Sequence, residues 1–253
     1  MAKIDFAHKA QRKMFEAILD SVIKHSNSDR TKAIKQLVDL VKKTMYDIWG
    51  SATYEMFGFS SKSDSKWMKY IDNLLNDVHP NIIKGKALNT AYEAGYRGFR
   101  IAQDMKKKHD INIPWIILVD PTSACNLKCT GCWSAEYGHL IQLSYEEIDR
   151  IITEGEELGI YAWLMTGGEP LIRKADILKL AEAHPYSSFH IFTNGTLIDD
   201  AFCEEVVRLG NIAPSISLEG FEEVNDLRRG NGVFQKVMHA MDTMKKHKLL
   251  FGT

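Results

Sequence analysis

From Pro114 onward the chain alternates short β-branched runs with amphipathic stretches of helical period, and this alternation restricts its fold more than any other feature. Trp115 to Val119, Ile160 to Met165, Phe189 to Thr193 and Ile212 to Leu218 read as strands. Ser144 to Leu158, Arg173 to His184, Asp199 to Leu209 and Val233 to Lys248 read as the helices between and after them. Ser144 with Glu146 and Glu147 is a capping-type opening, and Gly210 is placed as a C-cap. A repeat of about 30 residues is the length of one βαβ unit, so the strands are expected to be parallel. A full (β/α)₈ barrel takes about 250 residues, and the stretch from 114 to 253 is much shorter. The expected fold is therefore α/β, a partial parallel (β/α) barrel of four to five strands, with Leu249 to Thr253 opening the fifth. A parallel edge left bare at Phe251-Gly252-Thr253 is an aggregation hazard, which predicts that further strands follow in a longer protein.

Residues 1–113 have a different character and read as an all-helical N-terminal region, giving a boundary at 113/114. Ala7 to Lys24 carries Ala10, Met14, Ala17, Ile18 and Leu19 as one apolar stripe. A second helix, capped by Ser28 or Asp29, runs to Trp49 with Ile34, Leu37, Val38, Val41, Met45 and Ile48 inward. A Gly/Ser-rich break from Gly58 to Ser65 precedes a third helix, Lys66 to Val78, which His79-Pro80 ends. A fourth runs from about Asn81 to Lys108 through Gly85, Gly95 and Gly98, whose cost in a helix points to close packing or a bend. Trp49, Phe57, Trp67, Tyr92, Tyr96 and Phe99 are expected in its core.

The formal net charge of −1 conceals an asymmetry: 20 Lys/Arg face 13 Asp/Glu before residue 114, and 12 face 20 after it. That split predicts two units in attractive contact. It does not predict nucleic-acid binding, because the lysines are spread along helical faces without a recognition motif. No run approaches the ~18 apolar residues of a membrane helix, and Met1 to Asp5 opens no secretory signal. A cytoplasmic location without membrane contact is expected. Four cysteines make no disulfide scaffold, and in a reducing compartment a pair plus a free thiol is disfavoured.

Three of the four, Cys125, Cys129 and Cys132, fall just after the first strand. Soft thiolates at that density suit an iron–sulfur cluster or zinc. Three other readings stand beside the cluster: an apolar helix face at i, i+4, i+7, a Cys₃His zinc site completed by His139, and plain burial for the distant Cys203. Pro121, Asn126 and Gly131 favour a loop over the helix. Met165-Thr166-Gly167-Gly168-Glu169-Pro170 follows the second strand, and its two glycines allow close backbone approach beside an anionic acceptor. Thr193-Asn194-Gly195-Thr196 closes the third strand, Ser215-Ile216-Ser217-Leu218-Glu219-Gly220 lies on the fourth, and Asp226-Leu227-Arg228-Arg229-Gly230 comes after.

C-x₃-C-x₂-C, GGEP, TNG and SLEG in this order resemble the radical S-adenosylmethionine (SAM) superfamily over about residues 114–253. The resemblance implies a radical SAM core at 114–253, incomplete against the family's six strands. It implies a [4Fe-4S] cluster held by Cys125, Cys129 and Cys132, with the fourth iron left to SAM. Gly167, Gly168 and Glu169 would hold the SAM amino group, Ser217 would contact SAM, Asn194 would sit in the TNG turn, and Arg229 would lie near the SAM carboxylate. Gly131 stands where many members carry an aromatic residue before the third cysteine, with Trp133 just after it. The implied activity is reductive cleavage of SAM to a 5′-deoxyadenosyl radical that abstracts hydrogen from an unidentified substrate, a small molecule or a peptide. An electron donor such as flavodoxin or ferredoxin is implied as a partner, and the helical region would cover the open barrel or bind a partner. The competing sequence readings are a zinc- or cluster-binding module without SAM chemistry and a non-catalytic fragment with a helical interaction surface.

Overall fold

The computed structural model describes residues 6–24, 32, 34–36, 38–39, 41–43, 65–138 and 140–253. The expected caps Ser28 and Asp29, the core positions Leu37, Met45, Ile48, Trp49 and Phe57, the break at 58–64 and His139 lie outside these residues.

Helix α1 (Phe6–Lys24) does not bury the expected stripe. Ala10, Met14 and Ala17 are exposed, and His8, Phe15 and Val22 turn inward. The inner face is chosen by what it meets. His8 Nε2 and Arg12 Nη1 reach the carboxylate of Glu93 at 2.9 and 2.7 Å, and Phe15 packs on the ring of Tyr92. A fully buried carboxylate is tolerable only when cations and donors surround it, so this polar contact overrides the weak apolar stripe. Helical positions between 32 and 43 (α2) bring Ile34 against Val22 and Met68.

Ser65 caps α3 (Lys66–Asp77) by accepting from Met68 N, but Trp67 on that helix is 59% exposed and not core. After His79, Pro80 starts α4 (Pro80–Lys86), which continues without a break through a π-helical stretch, Ala87–Gly98, into α5 (Phe99–His109). Phe99 is also exposed, whereas Tyr92 is core.

Four parallel strands follow: β1 (Ile116–Thr122), β2 (Ala162–Gly167), β3 (Ser188–Thr193) and β4 (Ile212–Ile216), paired in chain order. Between and after them run α6 (Tyr145–Glu157), α7 (Lys174–Ala183), α8 (Asp200–Leu209), α9 (Glu222–Arg229) and α10 (Val233–Lys246). The Ser144/Glu147 capping box opens α6, and Gly210 ends α8 in the left-handed region. The short α9 is an element that the sequence periodicity did not reveal.

Helices cover one side of the sheet. Trp163, Met165, Phe189 and Ile191 point into that layer, where Ile152, Ile177, Leu180, Phe202, Val206 and Val237 enclose them. Alternation along a strand sends the intervening residues to the opposite, concave face; there Leu118 and Phe192 remain 58% and 43% exposed. A bridge from Ser215 to Gly252 begins a fifth parallel pairing beside β4, as the sequence anticipated. Cys203 is a core residue of α8, and burial drives its thiol up to about 12.

The described part of the helical region packs at the N-terminal ends of the strands, a placement the sequence did not specify. Gly85 lies under Gly210 and Gly98 under Gly159, so closely that a Cβ on either would stand 2.2 Å from the facing carbonyl oxygen. Asn81 donates to the carbonyls of Val207 and Arg208, and Asn89 to those of Pro185 and Ser187. All these partners lie at the N-terminal ends of the strands. Among the described residues these contacts run through carbonyls and hydroxyls, and Arg12 and Arg97 lie over the rings of Tyr186 and Tyr161. Among the described residues, none of these contacts reaches the strand tips that carry the motifs.

Candidate metal and cofactor site

The loop after β1 is tied to its neighbours before any cofactor is considered. Asn126 Nδ2 donates to Thr196 Oγ1 at 2.8 Å, and Asn194 Nδ2 donates to Asn126 Oδ1 at 2.9 Å, which lashes the loop to the tip of β3. Asn194 Nδ2 also stands 4.0 Å from Cys125 Sγ, and Leu127 N donates to that sulfur at 3.4 Å. Farther along, Thr130 N donates to Arg228 O, Gly131 takes a positive φ of 68°, and a 3₁₀ turn opens at Trp133. Cys125, Cys129 and Cys132 are all free thiols and line one cavity of about 260 Å³ with Leu127, Lys128 and Ser134. Burial pushes the Cys125 thiol up, against the pull of the Leu127 amide, and pushes Cys129 up against the pull of Arg229. Among the described residues no three His, Cys, Asp or Glu side chains close on a point that would hold a single metal ion.

The turn after β2 fits beneath this loop because it has no side chains in the way. Gly167 has φ +106°, and a Cβ on Gly168 would lie 2.2 Å from Ala124 O. Gly168 N and Glu169 N bond to Thr122 O and Ala124 O at 2.9 and 2.8 Å. Glu169 itself is turned inward and is 1% exposed. Its Oε1 accepts from Leu171 N at 2.9 Å and Thr193 Oγ1 at 2.6 Å, and its Oε2 accepts from Asn194 N at 2.7 Å. Burial raises the Glu169 carboxyl, and these donors offset only part of that cost. Glu169 thus clips the tip of β2 to the tip of β3.

Ser217 N donates to Thr193 O at 2.9 Å, which sets Ser217 beside the same turn on the concave face. Beyond it, Arg229 Nη2 contacts Glu219 Oε1 at 2.6 Å, while Arg229 Nε is buried without a hydrogen-bond partner. A buried donor left open is costly, and the Arg229 charge is close enough to Cys129 to pull its thiol down. All nine residues picked out in the sequence therefore gather at the C-terminal tips of β1–β4. A second cavity of about 230 Å³ adjoins the first, with Asp120, Trp133, Tyr137 and Gly167 among its walls. Sequence reasoning missed Asn126 and Glu219 as the groups that fix Asn194 and Arg229, although both lie inside the quoted motifs.

The family model of the radical SAM superfamily matches residues 119–251, just over half of the chain. The chain belongs to the radical SAM superfamily. A curated relative, an Fe-coproporphyrin III synthase of Methanosarcina barkeri, is 31% identical over 54% of this chain and 35% of its own length. A cysteine-type anaerobic sulfatase-maturating enzyme of Clostridium perfringens is 29% identical over 54% of this chain and 43% of its own. Among solved structures, Streptococcus suis SuiB bound to S-adenosylmethionine superposes with a TM-score of 0.52 at 23% identity, covering 61% of this chain and 37% of that one. That likeness is one of fold: a parallel sheet with helices on one side. The chain spans well under half the length of the curated relatives it matches. Among the described residues no helix is long and apolar enough to cross a membrane.

Proposed function

We propose that this radical SAM chain binds a [4Fe-4S] cluster through Cys125, Cys129 and Cys132 and S-adenosylmethionine through the adjoining strand tips. The observation that carries the reading is the single cavity shared by three free thiols beside a glycine turn and an open guanidinium Nε. The residues present fit those groups: soft sulfur donors for iron, and an unpartnered buried donor for a carboxylate. When bound, cluster and SAM together supply one-electron cleavage of the sulfonium and abstraction of hydrogen from a substrate.

The chain's own work is to position and to shield. Gly167 and Gly168 leave backbone room for the SAM amino group, and Glu169 holds that turn in register with Asn194. Arg229, steadied by Glu219, offers its free Nε to the SAM carboxylate. Ser217 supplies a hydroxyl on the concave face, and Asn194 supports Cys125 from the side. The unit boundary is placed near residue 113, with the core at 114–253. The substrate is a small molecule or a peptide, and the electron comes from a flavodoxin or ferredoxin. A cytoplasmic location suits these oxygen-sensitive thiols.

Anaerobic reconstitution with iron and sulfide tests the reading. We expect about four irons per chain, brown absorption, a paramagnetic signal after dithionite, and a change in that signal when SAM is added. Cys129→Ala should lose iron and colour. Wild-type protein that stays colourless, or takes up only zinc, would overturn the assignment.

A further inference from the structure

The concave face has a second polar centre, at the far end from the thiols. Lys86, the last residue of α4, reaches the start of β3. Its Nζ donates to Ser188 Oγ at 2.7 Å and to Phe189 O at 3.3 Å. Thr90, one turn on, donates to the same Ser188 Oγ at 3.2 Å. Ser188 and His190 alternate with the core residues Phe189 and Ile191, so they share the concave side. On the neighbouring strand Ser215 Oγ lies 2.7 Å from His190 Nε2. Ser215 stands one pleat below Ser217 on that same side.

The charge at this floor is uncompensated. Lys86 has only neutral acceptors among the described residues. Its neighbour Lys84 turns the other way, to Glu16 and Asp20 of α1. Among the described residues His190 pairs with no carboxylate either, and its hydrogen bond is with the Ser215 hydroxyl. An ammonium drawn out of water without a counter-ion is unfavourable, and a structural strap would do as well with a neutral donor.

We propose that Lys86, with Ser188, Thr90 and the His190–Ser215 pair around it, is an anion anchor that takes a carboxylate of the substrate. The inference rests on the reading of the concave face as the substrate chamber. From Ser188 to the tip of β3 is five residues, or roughly 17 Å at about 3.3 Å per residue. The anchor therefore selects an elongated substrate, with its carboxylate at the floor and its reacting carbon toward the thiols. Burial lowers the Lys86 ammonium to about 8, so a bound anion should raise it again. Burial, together with the Lys86 charge, also lowers the His190 ring.

The test is a pH titration of ¹³C-lysine-labelled, reconstituted protein by NMR, with the Lys86 resonance identified by its loss in Lys86→Met. The probes are linear dicarboxylates such as glutarate and suberate, and a tetrapeptide with a free or an amidated C-terminus. We expect a carboxylate probe to move the Lys86 midpoint upward by about one pH unit. Probe affinity should fall at least tenfold in Lys86→Met, stay within a few-fold in Lys86→Arg, and weaken above the bound midpoint. Response to dicarboxylates alone identifies a small acid, and response to the free-acid peptide alone identifies a peptide; both support the anchor. An unmoved midpoint, equal binding of amide and acid, or unchanged affinity in Lys86→Met overturns it. If Lys86→Met fails to fold, loss of the resonance in Lys86→Arg identifies it, and the wild-type midpoint decides. Iron loading and the SAM response are read in the same samples, so failure of the cluster assignment is seen separately from failure of the anchor.

Discussion

Glu169 shows how a motif residue can be legible while its manner of action is not. Its place after two glycines marks it as an anionic group near a cofactor. The structure turns it inward, where one donor from the turn after β2 and two from the tip of β3 occupy the carboxylate. Glu169→Gln would set an amide NH₂ against one of those donors and leave a buried group unmatched. We expect a loss of about 1–3 kcal/mol, the usual cost of one unsatisfied buried partner, together with weaker SAM binding. Urea denaturation and a SAM titration check it; stability equal to wild type would count against the clip. Arg229 teaches the same lesson from the other side, because its neighbour Glu219 takes one end of the guanidinium and leaves Nε open.

Among the elements, the strands and helices of the second half were readable because each carries its own signal: period, cap or terminating glycine. The misread stripe of α1 had no such advantage. Met14 and Phe15 are adjacent apolar residues, and only the position of Glu93, far away in sequence, decides which of them faces inward. The fourth helix was foreseen in extent but not in its π-helical middle, where i→i+5 bonding widens the turn. Its glycines were foreseen as packing or bending, and Gly85 and Gly98 resolve as packing. In Gly98→Ala a methyl would meet Gly159 O at 2.2 Å. Relieving that clash should cost about 1–3 kcal/mol or more, as overpacking does. A fall in the urea midpoint, with the helix content of the unfolding baseline preserved, is the expected measurement.

At the scale of the whole molecule, two poles are separated by the length of the strands. Cofactor-binding residues occupy the C-terminal tips, and the helical layer closes the N-terminal ends. The Glu93 network, with His8, Arg12 and Arg97, belongs to that second pole. Removing its charge in Glu93→Gln takes the buried carboxylate away from Arg12 and Arg97, a change of the kind that costs about 3–5 kcal/mol when a buried pair is broken. Faster amide exchange across α1 is expected, with iron uptake by the thiols unchanged. Loss of iron uptake in that variant would show that the poles are coupled.

The sequence alone determined the parallel α/β core, the order of its units and the identity of the residues at the strand tips. Those are local facts, since strands and turns announce themselves through period and through residues such as Gly and Cys whose chemistry is particular. Tertiary structure alone decided which face of α1 is buried, which end of the sheet the helical region closes, and that Glu169 braces two strands. It also brought Lys86 to Ser188, 102 positions apart. Such pairings depend on where a charge can find a partner out of water, and no window of sequence contains both members.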